Sequence, residues 1–394
     1  MKKTIAILAT ALLLTGSAFA QAPVLKWYGF IRSYYTHDSH ASSNGTEELY
    51  YYMPSDNDQK GTSNFVALTS RIGFDVNGYE FDGYKIGAKI EADFYSKSGT
   101  TAVLRMRQAY ATVAKDDRSW KIGQAWHPMA VDLPDIFTLE SGAPFGPFSR
   151  TPQVYFEYKV NENSSLGAAA IWQMQYTSTG PEGAAANYIK YSGIPEIFVG
   201  YNYREGSGVL KVGADILAIR PYKNLTNRMV ACTFYEYGQL TKGSWTLKEK
   251  VTYAQDGSHM NMVGGYGISG LTADGDYTYS PTRNLSAWAS AAYKKGRWVP
   301  SVFLGVVKCF GTADDILAGS DGNLLFWGKN NVASLSALLR FQPEIVYNLG
   351  KLQFGASYML TCAKYGSASD AMLVNEDLHF VSNNRLQMMV KYTF

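Results

Sequence analysis

Cysteine is scarce in this 394-residue chain. Its three copies, Cys232, Cys309 and Cys362, stand far apart, each in a run that reads as a strand. An odd number cannot pair completely, and the spacing resembles no zinc site. The three read as small apolar strand residues, and no metal centre or cofactor is expected. Net charge is scarce too, with 36 Lys and Arg against 33 Asp and Glu. Setting aside Lys2 and Lys3 of the leader described below leaves 34 against 33, without the basic excess that usually marks a nucleic-acid binder. Beyond that leader there is no apolar run long enough for a transmembrane helix, and no Pro/Ser-rich linker or shift in composition at which to divide the chain.

Residues 1–20 read as a signal peptide. Lys2 and Lys3 make a positive start, Ile5 to Leu14 is a short apolar run, and Ala18 and Ala20 form an A-x-A site before Gln21. No Cys follows the cut, so a lipid anchor is not expected. An exported chain without a membrane-spanning helix is periplasmic, secreted or an outer-membrane β-barrel.

What is present is period-two alternation, the mark of strands with unlike faces. In "YKIGAKIEADF" (84–94), Tyr84, Ile86, Ala88, Ile90, Ala92 and Phe94 alternate with Lys85, Lys89, Glu91 and Asp93. "FVALTSRIGFDV" places Val66, Leu68, Ile72, Phe74 and Val76 opposite Thr69, Arg71 and Asp75. "LRMRQAY" sets Leu104, Met106 and Tyr110 against Arg105 and Arg107, and "QVYFEYKV" and "LQFGASYML" repeat the pattern. Strands at 229–240, 284–294 and 298–310 alternate poorly, so their facing is left open.

Short polar turns are expected at 78–83, 115–118, 161–164, 204–207, 241–244, 294–297 and 349–351. Connections that are mostly longer are expected at 36–63, 96–101, 127–150, 178–193, 222–228, 256–283, 311–333 and 365–383. Seven turns and eight outer loops join sixteen strands. An even strand number with short turns on one side and long loops on the other is the pattern of a bacterial outer-membrane barrel. The strand-like segment 259–270 would make seventeen, and is placed in the 256–283 loop to keep the count even. The expected fold is therefore all-β, a single transmembrane antiparallel barrel over residues 21–394.

The end of the chain argues for lipid on the apolar side. In "RLQMMVKYTF", Leu386, Met388, Val390, Tyr392 and Phe394 share one face. Tyr392 and the terminal Phe394 look like the assembly signal read by the barrel-assembly machinery. A barrel has to close, because an open sheet edge in lipid leaves backbone groups unsatisfied. Turning the 84–94 strand over would put four charges in lipid, where a basic residue costs roughly 2–4 kcal/mol at the midplane and acids less. Tyr28, Tyr34, Tyr84, Tyr110, Trp120, Tyr158 and Tyr392 read as an interfacial girdle.

A sixteen-stranded barrel leaves an aqueous channel. Arg71, Lys85, Lys89, Arg105, Arg107 and Lys121 project into it from four consecutive strands as a basic ladder, with Asp75, Glu91 and Asp93 on the same wall. Unpaired, these cations would attract small anions; paired, they would only hold the wall's geometry. Periodicity leaves both open. The connection "HPMAVDLPDIFTLESGAPFGPFSR" (127–150) is unusual for a loop in water, since it carries Ile136, Phe137, Leu139, Phe145 and Phe148. It is expected to fold inward as a constriction, from His127 to Arg150. Its acids Asp132, Asp135 and Glu140 would face the basic wall and set up a transverse field. The other reading is a surface loop packed on a neighbouring subunit.

At "YGFIR" (28–32), "TSRIGFDV" (69–76), "KIEADF" (89–94), "LRMRQAY" (104–110), "GQAWHPM" (123–129), "GAPFGPFSRTPQ" (142–153), "YNLGKLQFG" (347–355) and "NNRL" (383–386) the chain resembles the DcaP-like family of outer-membrane porins. The resemblance spans nearly all of residues 21–394. It implies a homotrimeric sixteen-stranded porin that passes small, often anionic, hydrophilic solutes. The constriction then falls on 127–150 and the basic wall on Arg71, Arg105 and Arg107. Some members carry an N-terminal helical stalk. Here the first strand begins within a few residues of Gln21, so stalk-mediated trimerisation is not expected.

Two other functions compete. A barrel hydrolase needs a nucleophile, a base and an orienting group at the rim. His37, His40, His127, His259 and His379 all fall in expected loops, and Ser141 and Ser149 share the loop of His127, but no spacing forces a triad. A structural or adhesion barrel would work through its outer loops and conduct nothing. An energised transporter would need a plug and about 22 strands.

Overall fold

The computed structural model describes residues 23–42, 50–57, 60–95, 97–98, 101–319, 322–328 and 333–394; the expected signal peptide at 1–20 lies outside them. The fold is a closed sixteen-stranded antiparallel β-barrel. Its strands are β1 Val24–Asp38, β2 Arg71–Phe81, β3 Tyr84–Asp93, β4 Arg105–Lys115, β5 Arg118–Trp126, β6 Arg150–Lys159, β7 Ser164–Ile171 and β8 Glu196–Glu205. They continue with β9 Gly208–Ile219, β10 Met229–Lys242, β11 Trp245–Gln255, β12 Tyr277–Tyr293, β13 Trp298–Thr312, β14 Leu335–Leu349, β15 Leu352–Ala368 and β16 Val374–Thr393. Each pairs with the next, and β16 closes on β1 from Phe30↔Thr393 to Asp38↔Arg385, which leaves no sheet edge.

All seven short turns form at one end of the barrel. Five of them are two-residue loops, among them the turn that joins β2 to β3 through Asp82 (φ 49°) and Gly83 (φ 74°). Positive φ at both central residues suits the right-handed twist of a two-residue hairpin. At the other end the last outer connection is shorter than expected. Residues 365–368 and 374–383 continue β15 and β16 as a long hairpin, so the expected 365–383 loop shrinks to a turn at 369–373. The ambiguous 259–270 segment contains a real strand, Gly265–Leu271, but it does not cross the barrel. It pairs with the outer extension of β12 at Tyr277–Pro281 and with Leu325–Trp327.

Exposure fixes the facing. On β3, Ile90 is 45 % exposed while Glu91 and Asp93 are 5 % and 2 % exposed. The apolar faces look outward, as an interior lined by charge requires. The three strands that alternate poorly in sequence alternate well in structure. β10 shows why: Tyr235 and Tyr237 are buried on the inner face while Val230 and Glu236 point outward, so hydropathy does not separate the two faces. On β12 and β13 the inner face holds buried Trp288, Phe303 and Val307, so both faces are apolar.

Two facing assignments are corrected. Val66 and Leu68 pack on the interior cluster instead of facing lipid. The chain breaks between Ser63–Val66 and β2 with a turn in which Ser70 N–H donates to Ala67 O, and this shifts the phase. The girdle also loses three members. Tyr34 is fully buried and donates to Phe137 O at 2.7 Å, and Tyr28 lies inside beside Lys89 and Glu91. Tyr110 turns inward because a register shift on β4 leaves Arg107 unmatched between Gln108, opposite Glu91, and Met106, opposite Ala92. Such a bulge reverses alternation beyond it.

Candidate functional site

The inner wall over β1 to β4 carries the charge ladder. Register places Arg71, Asp93 and Arg105 in one row across β2, β3 and β4. Arg105 forks onto Asp93 through Nε and Nη2, both at 3.0 Å. Arg107 sits on the bulge and reaches both acids, with Nε 2.7 Å from Glu91 and Nη1 2.7 Å from Asp93. Arg71 approaches Glu91 at 3.4 Å, and Lys89 pairs with Asp75 at 2.7 Å. Planar guanidinium and carboxylate groups in this arrangement hold one another rigid. Three arginines share two carboxylates, so the ladder is salt-bridged and still one cation in excess.

The ladder borders a cavity of about 580 Å³. Its lining holds the cations Arg32, Arg71, Arg105, Arg107, Lys294 and Lys391 against the carboxylates Asp93, Asp135 and Glu344. Lys85 and Lys121 do not join it. Lys85 is exposed near the short-turn end. Lys121 lies over the rings of Tyr110 and Tyr155 and borders a separate pocket of about 180 Å³ with Glu157, Asn202 and Lys211. Arg32 donates to Thr69 Oγ1 at 3.1 Å and has no carboxylate partner among the described residues.

The connection 127–149 lies inside the barrel. His127 N–H donates to Ser149 O at 3.0 Å and closes its base. Phe145 fills a dent at Gly305, where an added Cβ would stand 2.5 Å from its ring. Lys250 donates to the carbonyls of Met129 and Asp132, both at 2.8 Å. Arg340 donates to Ala143 O and to the carbonyls of Tyr51 and Tyr52, and Glu344 accepts from Phe137 N–H at 2.8 Å. Sequence reasoning missed Arg32, Lys211, Lys248, Lys250, Arg340 and Glu344. Their strands show charge at alternate positions, but nothing local says what each would meet across the lumen.

The placement of the loop acids corrects the expected transverse field. Asp132 pairs with Lys211 at 2.8 Å and Asp135 with Lys248 at 2.6 Å, both on strands remote from the ladder. Glu140 is fully buried, bound to Arg385 at 2.9 Å and to Tyr51 N–H at 2.9 Å. Of these acids Asp135 borders the main cavity; the rest of the loop edge there is Leu133, Pro134 and Ile136 to Leu139, with Ser141 and Phe148. Arg150 is the first residue of β6, buried, with its guanidinium over Trp126 and Phe148. Burial raises the phenols of Tyr50 and Tyr52 on the neighbouring inner segment well above their usual range, so they stay neutral.

His127 is buried, with Nε2 2.8 Å from Glu196 Oε1 and Nδ1 accepting Met129 N–H at 3.3 Å. Ser141 Oγ donates to Leu139 O, and Ser149 is buried. Among the described residues, His127, Glu196 and Asp215 form a cluster of metal-ligating type. Tyr392 and Phe394 point outward, with Phe394 N–H donating to Gly29 O at 3.1 Å.

No family model and no curated protein matches this sequence. Solved structures do. The outer membrane channel DcaP of Acinetobacter baumannii superposes with a TM-score of 0.72 at 18 % identity, over 96 % of this chain and all of that one. OmpT, an outer membrane protein of Vibrio cholerae, reaches 0.58 at 11 % identity, over 97 % and 99 % of the two chains. An anion-selective porin from Comamonas acidovorans reaches 0.59 at 10 % identity, over 94 % and 100 %. The resemblance to DcaP-like proteins read from the sequence is thus matched in architecture, and at these identities the likeness is one of fold.

Proposed function

We propose that this protein is a porin of a Gram-negative outer membrane, an open water-filled barrel for passive diffusion of small hydrophilic solutes with a modest preference for anions. The observation that carries the reading is the cavity between the ladder and the inward loop, where six cations face three carboxylates, with Glu91 behind Arg71 and Arg107 as a fourth. An excess of that size attracts anions over about one Debye length, ~8 Å at physiological salt, and saturating salt weakens it. The loop 127–149 acts as the constriction, held by Lys250 and Arg340, with size set by its apolar edge. The similar structures include an outer membrane channel and an anion-selective porin, which supports this reading. No catalytic role is assigned to His127, whose Nε2 is taken up by Glu196.

Homotrimeric assembly is part of the proposal. The outer face is not uniformly apolar, since Glu236 on β10 and Glu249 on β11 point outward by register. Glu249 leans over Gly238 beside a recess of about 630 Å³ bordered by Ala289, Ala291, Leu240 and Leu304. Small residues let a second backbone approach closely, and acids in lipid are costly unless partnered.

The test is a planar-bilayer recording under a salt gradient. The wild type should give discrete conductance steps and a reversal potential on the anion side. In the double variant Arg105→Ala/Arg107→Ala, Glu91 and Asp93 lose their main partners, so the reversal potential should move to the cation side. Absence of steps from folded protein would end the porin reading in favour of a non-conducting barrel. An unmoved reversal potential would remove the ladder from selectivity.

A further inference from the structure

The constriction loop begins at His127, and that residue belongs to a buried cluster that the proposed channel function does not use. Four side chains from separate parts of the chain converge there: His127 at the base of the loop, His259 on the inner segment Ser258–Met260, Glu196 at the start of β8 and Asp215 on β9. All four are buried, none more than 1 % exposed. Glu196 Oε1 stands 2.8 Å from His127 Nε2 and 3.2 Å from His259 Nε2. A ring nitrogen of His127, a Glu196 oxygen and an Asp215 oxygen lie within 4.8 Å of one another; His259 stands outside that trio, against Glu196 Oε1.

The cluster is short of partners. Both oxygens of Asp215, Oε2 of Glu196 and Nδ1 of His259 have no hydrogen-bond partner among the described residues. Buried polar atoms are paired in the great majority of proteins, and an orphaned buried carboxylate is among the costliest groups to leave unmet. A proton shared between Asp215 and Glu196, which stand in hydrogen-bonding contact, would meet part of this need; one bound cation would meet all of it. Two carboxylates and two neutral imidazoles carry a charge of −2, which one divalent cation cancels. The donor set of nitrogen and carboxylate oxygen suits a borderline transition ion, and tetrahedral zinc takes four such donors at about 2.0–2.2 Å. Calcium and magnesium prefer oxygen-only sets.

We infer that His127, His259, Glu196 and Asp215 form a structural site for a divalent transition-metal ion that fastens the stem of the constriction loop to the barrel wall. Coordination by all four closes the site to substrate, as in structural rather than catalytic zinc centres. The ion joins three elements: the loop 127–149, the inner segment 256–264 and the β8–β9 wall. Phe148 N–H already donates to Met260 O at 2.8 Å, so the two inner segments are joined there, and the ion anchors both. Binding removes the proton that His127 carries on Nε2. The contact given up is the long 3.3 Å bond from Met129 N–H to Nδ1.

The test does not depend on conductance. The folded barrel is stripped with chelator in detergent, exposed to Zn²⁺, passed through a sizing column and assayed for bound metal. The wild type should keep about one zinc per chain, and Asp215→Asn and His259→Ala should each lose affinity by about tenfold or more. If wild type retains no more zinc than Asp215→Asn, the cluster is a hydrogen-bonded acid–imidazole network and the inference fails. Should the variants not fold, X-ray absorption on zinc-loaded wild type decides. A first shell of oxygen and nitrogen with imidazole scattering supports the site; a sulfur shell from Cys232 or a fully hydrated ion overturns it.

Discussion

At the scale of single residues, the interior is organised by arginines that hold acids in place. Arg385 is fully buried; its Nε and Nη2 each lie 2.9 Å from Asp38, and Nη1 lies 2.9 Å from Glu140 of the loop. One guanidinium thus joins the barrel seam to the inward loop. Removing one member of a buried ion pair costs more than the pair is worth, because the partner stays behind charged and dry. Arg385→Met should therefore lower the unfolding free energy by about 3 kcal/mol, read from urea titration of the barrel in lipid vesicles. Adding Asp38→Asn and Glu140→Gln should restore part of the loss; an unchanged midpoint in the single variant would contradict this account. Sequence placed Arg105 and Arg107 on the inner face by alternation alone. It did not place Tyr110, because the bulge at Arg107 has no signature in residue type: Gly and Pro, the usual markers, are absent from 105–110.

At the scale of elements, the outer connections are held by local clamps. Asp276 is the clearest. Its Oδ2 accepts from Thr226 N–H and Thr226 Oγ1, both at 2.7 Å, and from Asn227 N–H at 2.9 Å, while Oδ1 accepts from Tyr277 N–H at 2.7 Å. Desolvation works against the charge, and these donors outweigh it, so the carboxyl is held below its usual range. A lowered folded-state value means the clamp's contribution is complete above the unfolded carboxyl's range. It is lost as pH falls through the folded value. Amide exchange at Thr226 and Asn227 should therefore stay slow at pH 4 and accelerate only at more acidic pH, whereas Asp276→Asn should remove that pH dependence. Protection lost already near pH 5 would refute it. The loop 127–149 was legible as an inward element because five large apolar residues have no place in water. Its acids were not, because their partners Lys211 and Lys248 lie about 80 and 113 residues away.

At the scale of the molecule, the outer surface separates a lipid-facing barrel from an assembled one. Glu236 and Glu249 sit mid-strand on β10 and β11 beside small residues. Replacing both with Leu removes charge from a lipid-facing surface, which should stabilise an isolated barrel. If the patch is the contact between subunits, the same change should lower the temperature at which trimers dissociate on gels without heat-modified mobility of the monomer changing. A higher dissociation temperature would place the contact elsewhere. The amino-acid sequence by itself determined the closed sixteen-stranded barrel, the outward apolar belt, the seven tight turns and the inward loop. Each of these follows from period-two patterning, turn chemistry or the cost of apolar groups in water, all of which act between near neighbours in the chain. Only the tertiary structure decided which cations are paired, where the phase slips at the 67–70 turn and the β4 bulge, and that His127, Glu196, Asp215 and His259 meet. Those depend on register around a closed sheet and on contacts across the lumen, where a shift of one residue changes every partner.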